Sequence, residues 1–296
     1  MGHKINLCNY FLHKLFYTPY NSEDSWTILT PIEQSIKEKI EYAGTPLKDW
    51  DIKIYRGILT GCNEAFIISG AKKDELLSKD PKSAEIIRPI LRGRDIKRYG
   101  YDFADLWVIN THNGDKTKKI PPANICDYPA IKAHLAQYYE KLAKRADKGV
   151  TPYNMRNCAY MDDFNKPKII WGNLCLTSQF TYTEEPFIIN APSPMITVGT
   201  KYLVAILNSK LADWYIRQLG ITRNGGYFEY KPMFVEKMPI PVIEKDNEKP
   251  FNDLVDLIMK SNSKEEYERK INELVYSLYN LSTQEIYYIE STVDSI

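Results

Sequence analysis

Five short segments, in fixed order, most constrain what this chain can fold into. They are Tyr55-Arg-Gly-Ile-Leu-Thr-Gly-Cys-Asn-Glu-Ala-Phe66, Ile90-Leu-Arg-Gly-Arg-Asp-Ile-Lys-Arg-Tyr99, Lys166-Pro-Lys-Ile-Ile-Trp171, Leu203-Val-Ala-Ile-Leu-Asn-Ser-Lys-Leu211 and Met238-Pro-Ile-Pro241. Between them, Ile52–Tyr55, Ala65–Ser69, Leu106–Asn110, Lys168–Trp171, Gln179–Tyr182, Phe187–Ile189 and Met195–Val198 read as strands. Strands mixed with helices in no regular alternation predict an α+β fold: a mixed sheet domain with peripheral helices and a C-terminal helical hairpin.

The helices carry their own signals. Thr30 can cap, Pro31 suits the first helical position and Glu33 completes a capping box. Ile32, Ile36 and Ile40 then repeat at four-residue spacing until Gly44 stops the helix. A short helix is predicted over Ser83–Ile87, ending before Pro89. Long helices are predicted over Tyr128–Ala146, with Ile131, Leu135 and Leu142 inward, and over Lys201–Leu219, ending at Gly220. Phe251–Lys260 and Glu265–Tyr279 form the hairpin, with capping boxes at Ser263 (Glu266) and Ser282 (Glu285). The expected division is an N-terminal stub over 1–25, a main domain over 26–241 and the hairpin over 242–296. Tyr10, Phe11, Phe16 and Tyr17 make the stub an aromatic surface suited to packing on something upstream.

A hydrophobic share of 44% and a charged share of 26% suit a globular protein and exclude a disordered one. The net charge of +1 excludes polyanion binding by bulk charge, so distribution must carry any such argument. Five scattered cysteines without a CxxC pair point to reduced thiols, not to a disulfide framework or zinc site. The four histidines have no neighbouring ligand pattern. No signal-peptide pattern and no apolar run of about 18 residues are present, so the expectation is a cytoplasmic protein with no membrane partner.

Three segments are candidates for binding. Arg56, Thr60, Gly61 and Asn63 lie in a loop bracketed by Gly57 and Gly61. It reads either as a glycine-bent hairpin or as a loop whose backbone approaches a phosphate or base edge. Arg88–Arg98 holds five basic residues against Asp95 alone, a local charge of +4. Its Arg92, Arg94, Lys97, Arg98 and Tyr99 read as a charged connector or as arginine forks for guanine or phosphate, with Asp95 orienting Arg94 or Arg98. Arg223, Asn224 and Tyr227 lie on a polar loop hinged at Gly225 and Gly226 and flanked by Arg217 and Lys231. Arg and Asn are readers of G and A, and Asn-Gly equally marks a plain turn. Lys144, Arg145 and Lys148 are accounted for by a helix C-terminus, and Asn208-Ser209 by structure.

The ordered segments together resemble the C-terminal specificity domain of TaqI-type DNA adenine methyltransferases, carried also by type IIG restriction–modification enzymes. The resemblance runs roughly from Trp26 to Ile289. It implies double-stranded DNA as partner and favours a DNA-contacting role for the first two candidate segments, while the third leans to that role on its flanking Arg217 and Lys231. It also implies a separate methyltransferase domain, in cis or in trans, that uses S-adenosylmethionine. This chain has no Asn-Pro-Pro-Tyr motif, no glycine-rich cofactor loop and no Walker lysine motif, so no catalytic residue and no cofactor are expected in it. A nuclease reading of Glu229-Tyr230-Lys231 lacks a second acid, because Asp213 falls on a predicted helix. The alternative from another class is a subunit-docking module with little or no DNA binding.

Overall fold

A computed structural model describes residues 29–261 and 263–294. The aromatic stub, including Tyr10, Phe11, Phe16, Tyr17 and Cys8, lies outside the described residues. The chain divides into two units, residues 1–35 and 36–296. Within the first, Thr30 and Glu33 form the expected capping box: Thr30 N donates to Glu33 Oε2 at 2.6 Å and Glu33 N to Thr30 Oγ1 at 3.4 Å. Helix α1 (Pro31–Ala43) follows, and in the larger unit Ile36 and Ile40 are fully buried. Gly44 N closes the helix on Ile40 O.

Two four-stranded sheets organise the larger unit, which is α+β as expected. The strands are β1 (Lys53–Arg56), β2 (Ile67–Ser69), β3 (Ile87–Leu91), β4 (Leu106–Ile109), β5 (Lys168–Trp171), β6 (Leu174–Cys175), β7 (Phe180–Thr183), β8 (Ile188–Ile189), β9 (Pro194–Thr197), β10 (Thr222–Arg223) and β11 (Tyr227–Glu229). The first sheet runs β7-β5-β9-β1, antiparallel throughout, with Met195 opposite both Tyr55 and Ile170. The second runs β8-β3-β4-β2, with only the β8–β3 pair parallel. A small third sheet joins β10, β11 and β6. Every residue of β5 and β9 is buried, as suits the two central strands of this sheet, including the polar Lys168 and Thr197 at their ends.

Several sequence expectations are corrected by tertiary demands. The Gly57–Gly61 segment is not a hairpin turn, because β1 and β2 belong to different sheets. Asn63–Phe66 winds one helical turn before β2, with Ala65 N and Phe66 N both bonded to Cys62 O. The helix expected at Ser83–Ile87 is a 3-10 turn over Pro81–Glu85, after which Ile87 enters β3. Pro89 is tolerated there because pairing passes from β4 to β8 at that point: Pro89 faces Trp107, and Ile90 faces Ile188.

The helix over Tyr128–Ala146 is two, α2 (Pro129–Ala136) and α3 (Tyr139–Lys144). Gln137 N and Tyr138 N tighten onto His134 O and Leu135 O between them. Ile131, Leu135 and Leu142 are fully buried as expected. Lys201–Leu219 also splits, into α4 (Lys201–Leu207) and α5 (Lys210–Leu219). The Asn208 amide accepts from Phe180 N at 2.9 Å and donates to Phe180 O at 2.8 Å, taking the place of a strand partner at the edge of β7. Ser209 then caps α5, accepting from Ala212 N at 3.1 Å.

The C-terminal stretch holds three helices: α6 (Lys245–Lys260), α7 (Glu265–Leu278) and α8 (Thr283–Asp294). They pack on α4 and α5. The Ser282–Glu285 capping box is present, with Ser282 N donating to Glu285 Oε2 at 2.6 Å. The Ser263–Glu266 box is not: Ser263 bonds Glu265, and Glu266 pairs with Lys270. Among the described residues no helix is long and apolar enough to cross a membrane.

Lys168 opens β5 fully buried, its ammonium donating to the carbonyls of Glu185 (2.6 Å), Phe164 (2.8 Å) and Lys166 (3.3 Å). Burial pushes its pKa down to about 8. Above pH 8 the unfolded chain therefore holds the proton that the native state has released, and this group's contribution to stability rises with pH until about 10.5. We expect wild type to gain on Lys168→Met by about 1 kcal/mol per pH unit between pH 8 and 10. Urea unfolding of both proteins across that range checks this, and a pH-independent difference contradicts it.

Candidate nucleic-acid interface

The candidate loops are rooted where two chain segments cross. As β1 ends at Arg56, Gly57 N donates to Ser193 O at 2.7 Å, Ile58 N to Ile189 O at 2.8 Å, and Ala191 N returns to Ile58 O at 3.0 Å. Only glycine allows this approach: a Cβ on Gly57 would lie 2.3 Å from Ile189 O. Beyond it, Thr60 is buried and spends its hydroxyl locally, donating to Asn63 Oδ1 at 2.6 Å and accepting from Cys62 N at 3.1 Å. Arg56, Gly61 and Asn63 are exposed. Arg145, which the sequence assigns to a helix end, instead turns inward. Its guanidinium donates to the carbonyls of Thr60, Asn154 and Pro152 and lies over the Phe66 ring, so it staples this loop to residues 152–154.

In the second segment Gly93–Asp95 is a single 3-10 turn. Residues three apart eclipse in such a turn, so Asp95 meets Arg92, not Arg94 or Arg98 as expected. Arg92 Nε and Nη2 donate to Asp95 Oδ2 and Oδ1 at 2.9 and 2.7 Å, and Arg92 N adds a third bond at 2.8 Å. Against the cost of burial, these bonds hold the Asp95 carboxyl below its usual range. Arg98 is also engaged, by Glu268 at 3.0 Å and by Ser178 O and Oγ at 3.1 and 2.9 Å. Arg88 donates to the carbonyls of Ala84 and Ile87, and Tyr99 is buried. Arg94 and Lys97 are left exposed at the tip. No hydrogen bond or ion pair of the Arg94 side chain is present among the described residues, and Lys97 Nζ reaches Arg94 O at 2.8 Å.

The third segment is a hairpin between β10 and β11, with Gly225 and Gly226 at φ +80° and +78°. Asn224 and Tyr227 are exposed on it. Arg223, half exposed, donates through Nε to Glu229 Oε1 at 2.6 Å, and Lys231 pairs with Glu229 Oε2 at 2.8 Å. Lys231 and then Arg223 hold the buried Glu229 carboxyl below its ordinary range. Arg217 does not flank the loop freely: it is buried on Asp213 at 2.7 Å and stacks over Phe228.

The three segments meet at one seam. A Cβ on Gly93 would lie 2.8 Å from Ser193 Oγ, beside the Gly57–Ser193 bond, and one on Gly172 would lie 3.6 Å from Gly93 O. Asn173 then donates to Pro192 O at 2.9 Å, and Leu174 pairs with Glu229 to attach the hairpin. Thus the exposed heads of Arg56, Arg94 and Arg223 stand on loops sharing one rigid base, while Thr60, Arg92, Arg98 and Tyr99 build that base.

The description of the TaqI-like C-terminal specificity domain matches residues 88–240, just over half of the chain. The chain belongs to this family. Among solved structures, the fold is similar to part of the type IIL restriction-modification enzyme MmeI, solved in complex with DNA. The TM-score is 0.64 at 13% identity, covering 85% of this chain and 36% of that one. The type IIG restriction endonuclease BpuSI is a weaker match, at TM-score 0.49 and 12% identity over 84% of this chain and 33% of that one. The chain thus spans about a third of the length of either enzyme. No curated protein matches it.

Sequence reasoning missed three residues of this specificity domain: Arg145, Asn173 and Glu229. Asn173 lies two residues after the Lys166–Trp171 motif, and Glu229 ends β11 two residues before its partner Lys231. Nothing local marks Arg145, whose partners are the carbonyls of Thr60, Pro152 and Asn154. Asp213 and Glu229, the two acids weighed for nuclease chemistry, are each tied up by basic side chains. Gly57→Ala should destabilise the domain by about 1–3 kcal/mol, because the methyl meets fixed backbone. Chemical denaturation checks this, and an unchanged midpoint contradicts the crossing.

Proposed function

We propose that this chain is the DNA target-recognition part of a type II restriction–modification enzyme or of a site-specific adenine-N6 DNA methyltransferase. Methyl transfer would belong to a partner domain, in cis or in trans, that binds S-adenosylmethionine. The observation carrying this reading is the seam: three loops, each with an exposed arginine at its head, rise from one rigid base in a specificity-domain fold. Exposed guanidinium groups on a fixed base suit DNA, since a planar fork can meet guanine O6 and N7 or a phosphate with two bonds. Arg94 and Arg223 are the proposed base readers, Lys97 a phosphate contact, and Arg56, Asn63, Asn224 and Tyr227 their neighbours on the same face.

The local charge of +4 overstates the grip, because Arg88, Arg92 and Arg98 are consumed internally. With about three or four phosphates neutralised, log K should fall against log salt with a slope of roughly −3 to −4. Titrating labelled duplex at several salt concentrations measures it, and a flat response sinks the reading.

A second measurement separates readout from grip. In binding to a library of single-base variants of the selected site, Arg94→Ala or Arg223→Ala should lose about 1–3 kcal/mol and relax one position. Lys97→Ala should weaken all sequences alike and reduce the slope by about one. Uniform loss in both arginine variants would remove them as readers.

One observation favours the docking alternative. Leu174, Leu176, Ile221 and Met233 are about half exposed around the small β10-β11-β6 sheet. Such apolar surface suits a partner domain. Sequence-independent or absent DNA binding would favour that reading.

A further inference from the structure

We propose that a crevice beside Gly57 holds a phosphate of the DNA backbone between Arg56, at the root of the first loop, and Arg156, which lies outside the three recognition loops. The inference rests on the DNA-recognition reading above. The crevice encloses about 40 Å³ between residues 56–59 and 155–161, and its lining contains two arginines and no carboxylate. A doubly cationic lining in a small recess calls for a compact anion, and guanidinium groups match phosphate oxygens in geometry as well as charge.

Its walls are preorganised. The Arg145 guanidinium ties the carbonyl of Thr60 on one side to those of Pro152 and Asn154 on the other. The Tyr55 and Tyr160 rings stack at 4.1 Å and 4°, and Tyr160 OH donates to Arg56 O at 3.0 Å. Met155 N is fixed on Thr111 O at 2.9 Å. Arg156 itself stays adaptable. Its ion pair with Asp147 at 3.1 Å has side chains 55% and 31% exposed, and surface pairs of this kind contribute little. Arg156 can therefore exchange the carboxylate for a phosphate at small cost. Because the opposite wall is the Gly57 segment, a phosphate held there lies next to the base on which the reading loops stand.

The test uses the full chain, labelled duplex and a salt series, with wild type, Arg156→Ala and Arg156→Lys. Urea midpoints control for folding. Arg156→Ala should reduce the salt slope by about one unit and weaken every sequence by the same factor, leaving the preferred site unchanged. Arg156→Lys, which keeps the charge, should keep the slope. If wild type binds DNA and Arg156→Ala matches it in affinity and slope, this site is wrong while the recognition reading stands. If wild type does not bind, both fall. A calorimetric arm with inorganic phosphate separates the ligand sources. Saturable phosphate binding that Arg156→Ala abolishes, with DNA binding untouched, would make this a free-anion site and overturn the proposal.

Discussion

The backbone crossing of Gly57-Ile58 over Ile189–Ser193 is the contact on which the rest depends. One strand entering it, β1, belongs to the first sheet. The segment it crosses leaves the second sheet at β8 and enters the first at β9. Three main-chain hydrogen bonds and the parallel Ile58–Asn190 bridge weld the two sheets at this point. A side chain at position 57 would force the segments apart, and the loops rooted there would lose their common base. Buried backbone polar groups demand partners, so once the chains come this close their pairing is strongly favoured.

Several arginines of this protein are spent on architecture. Arg92 builds a 3-10 turn with Asp95, Arg98 ties that turn to α7 through Glu268, Arg145 joins two loops through carbonyls, and Arg217 fixes α5 to the small sheet. Each satisfies a buried partner that would be costly to leave unpaired. The arginines left exposed on the seam are Arg94 at a turn tip, Arg223 steadied by Glu229, and Arg56 at the crossing.

Local signals read well wherever the physics is local. The Thr30 and Ser282 capping boxes, the Ile36–Ile40 stripe and the strands around Ile169–Trp171 and Met195–Ile196 were all legible, and so was the α+β class. Signals failed where a tertiary partner overrode propensity. Asn208 leaves a helix pattern to serve as strand partner for Phe180, and Pro89 sits in a strand because the pairing changes sides there. The candidate site was legible as segments but not as side chains. Composition showed a basic run, yet the choice of Arg92 over Arg94 and Arg98 as the Asp95 partner is set by a turn type with no clear sequence mark. Arg145 and Asn173 act on carbonyls of other segments, Thr60, Pro152 and Asn154 for the first and Pro192 for the second.

The central claim is that the loops at the seam form one DNA-facing surface. Hydrogen exchange of the chain with and without its selected duplex tests it most directly. The account predicts protection concentrated in residues 56–63, 92–99 and 222–231, with the C-terminal helices over 245–294 unchanged. Protection confined to those helices, with the three loops exchanging as in the free protein, would contradict it.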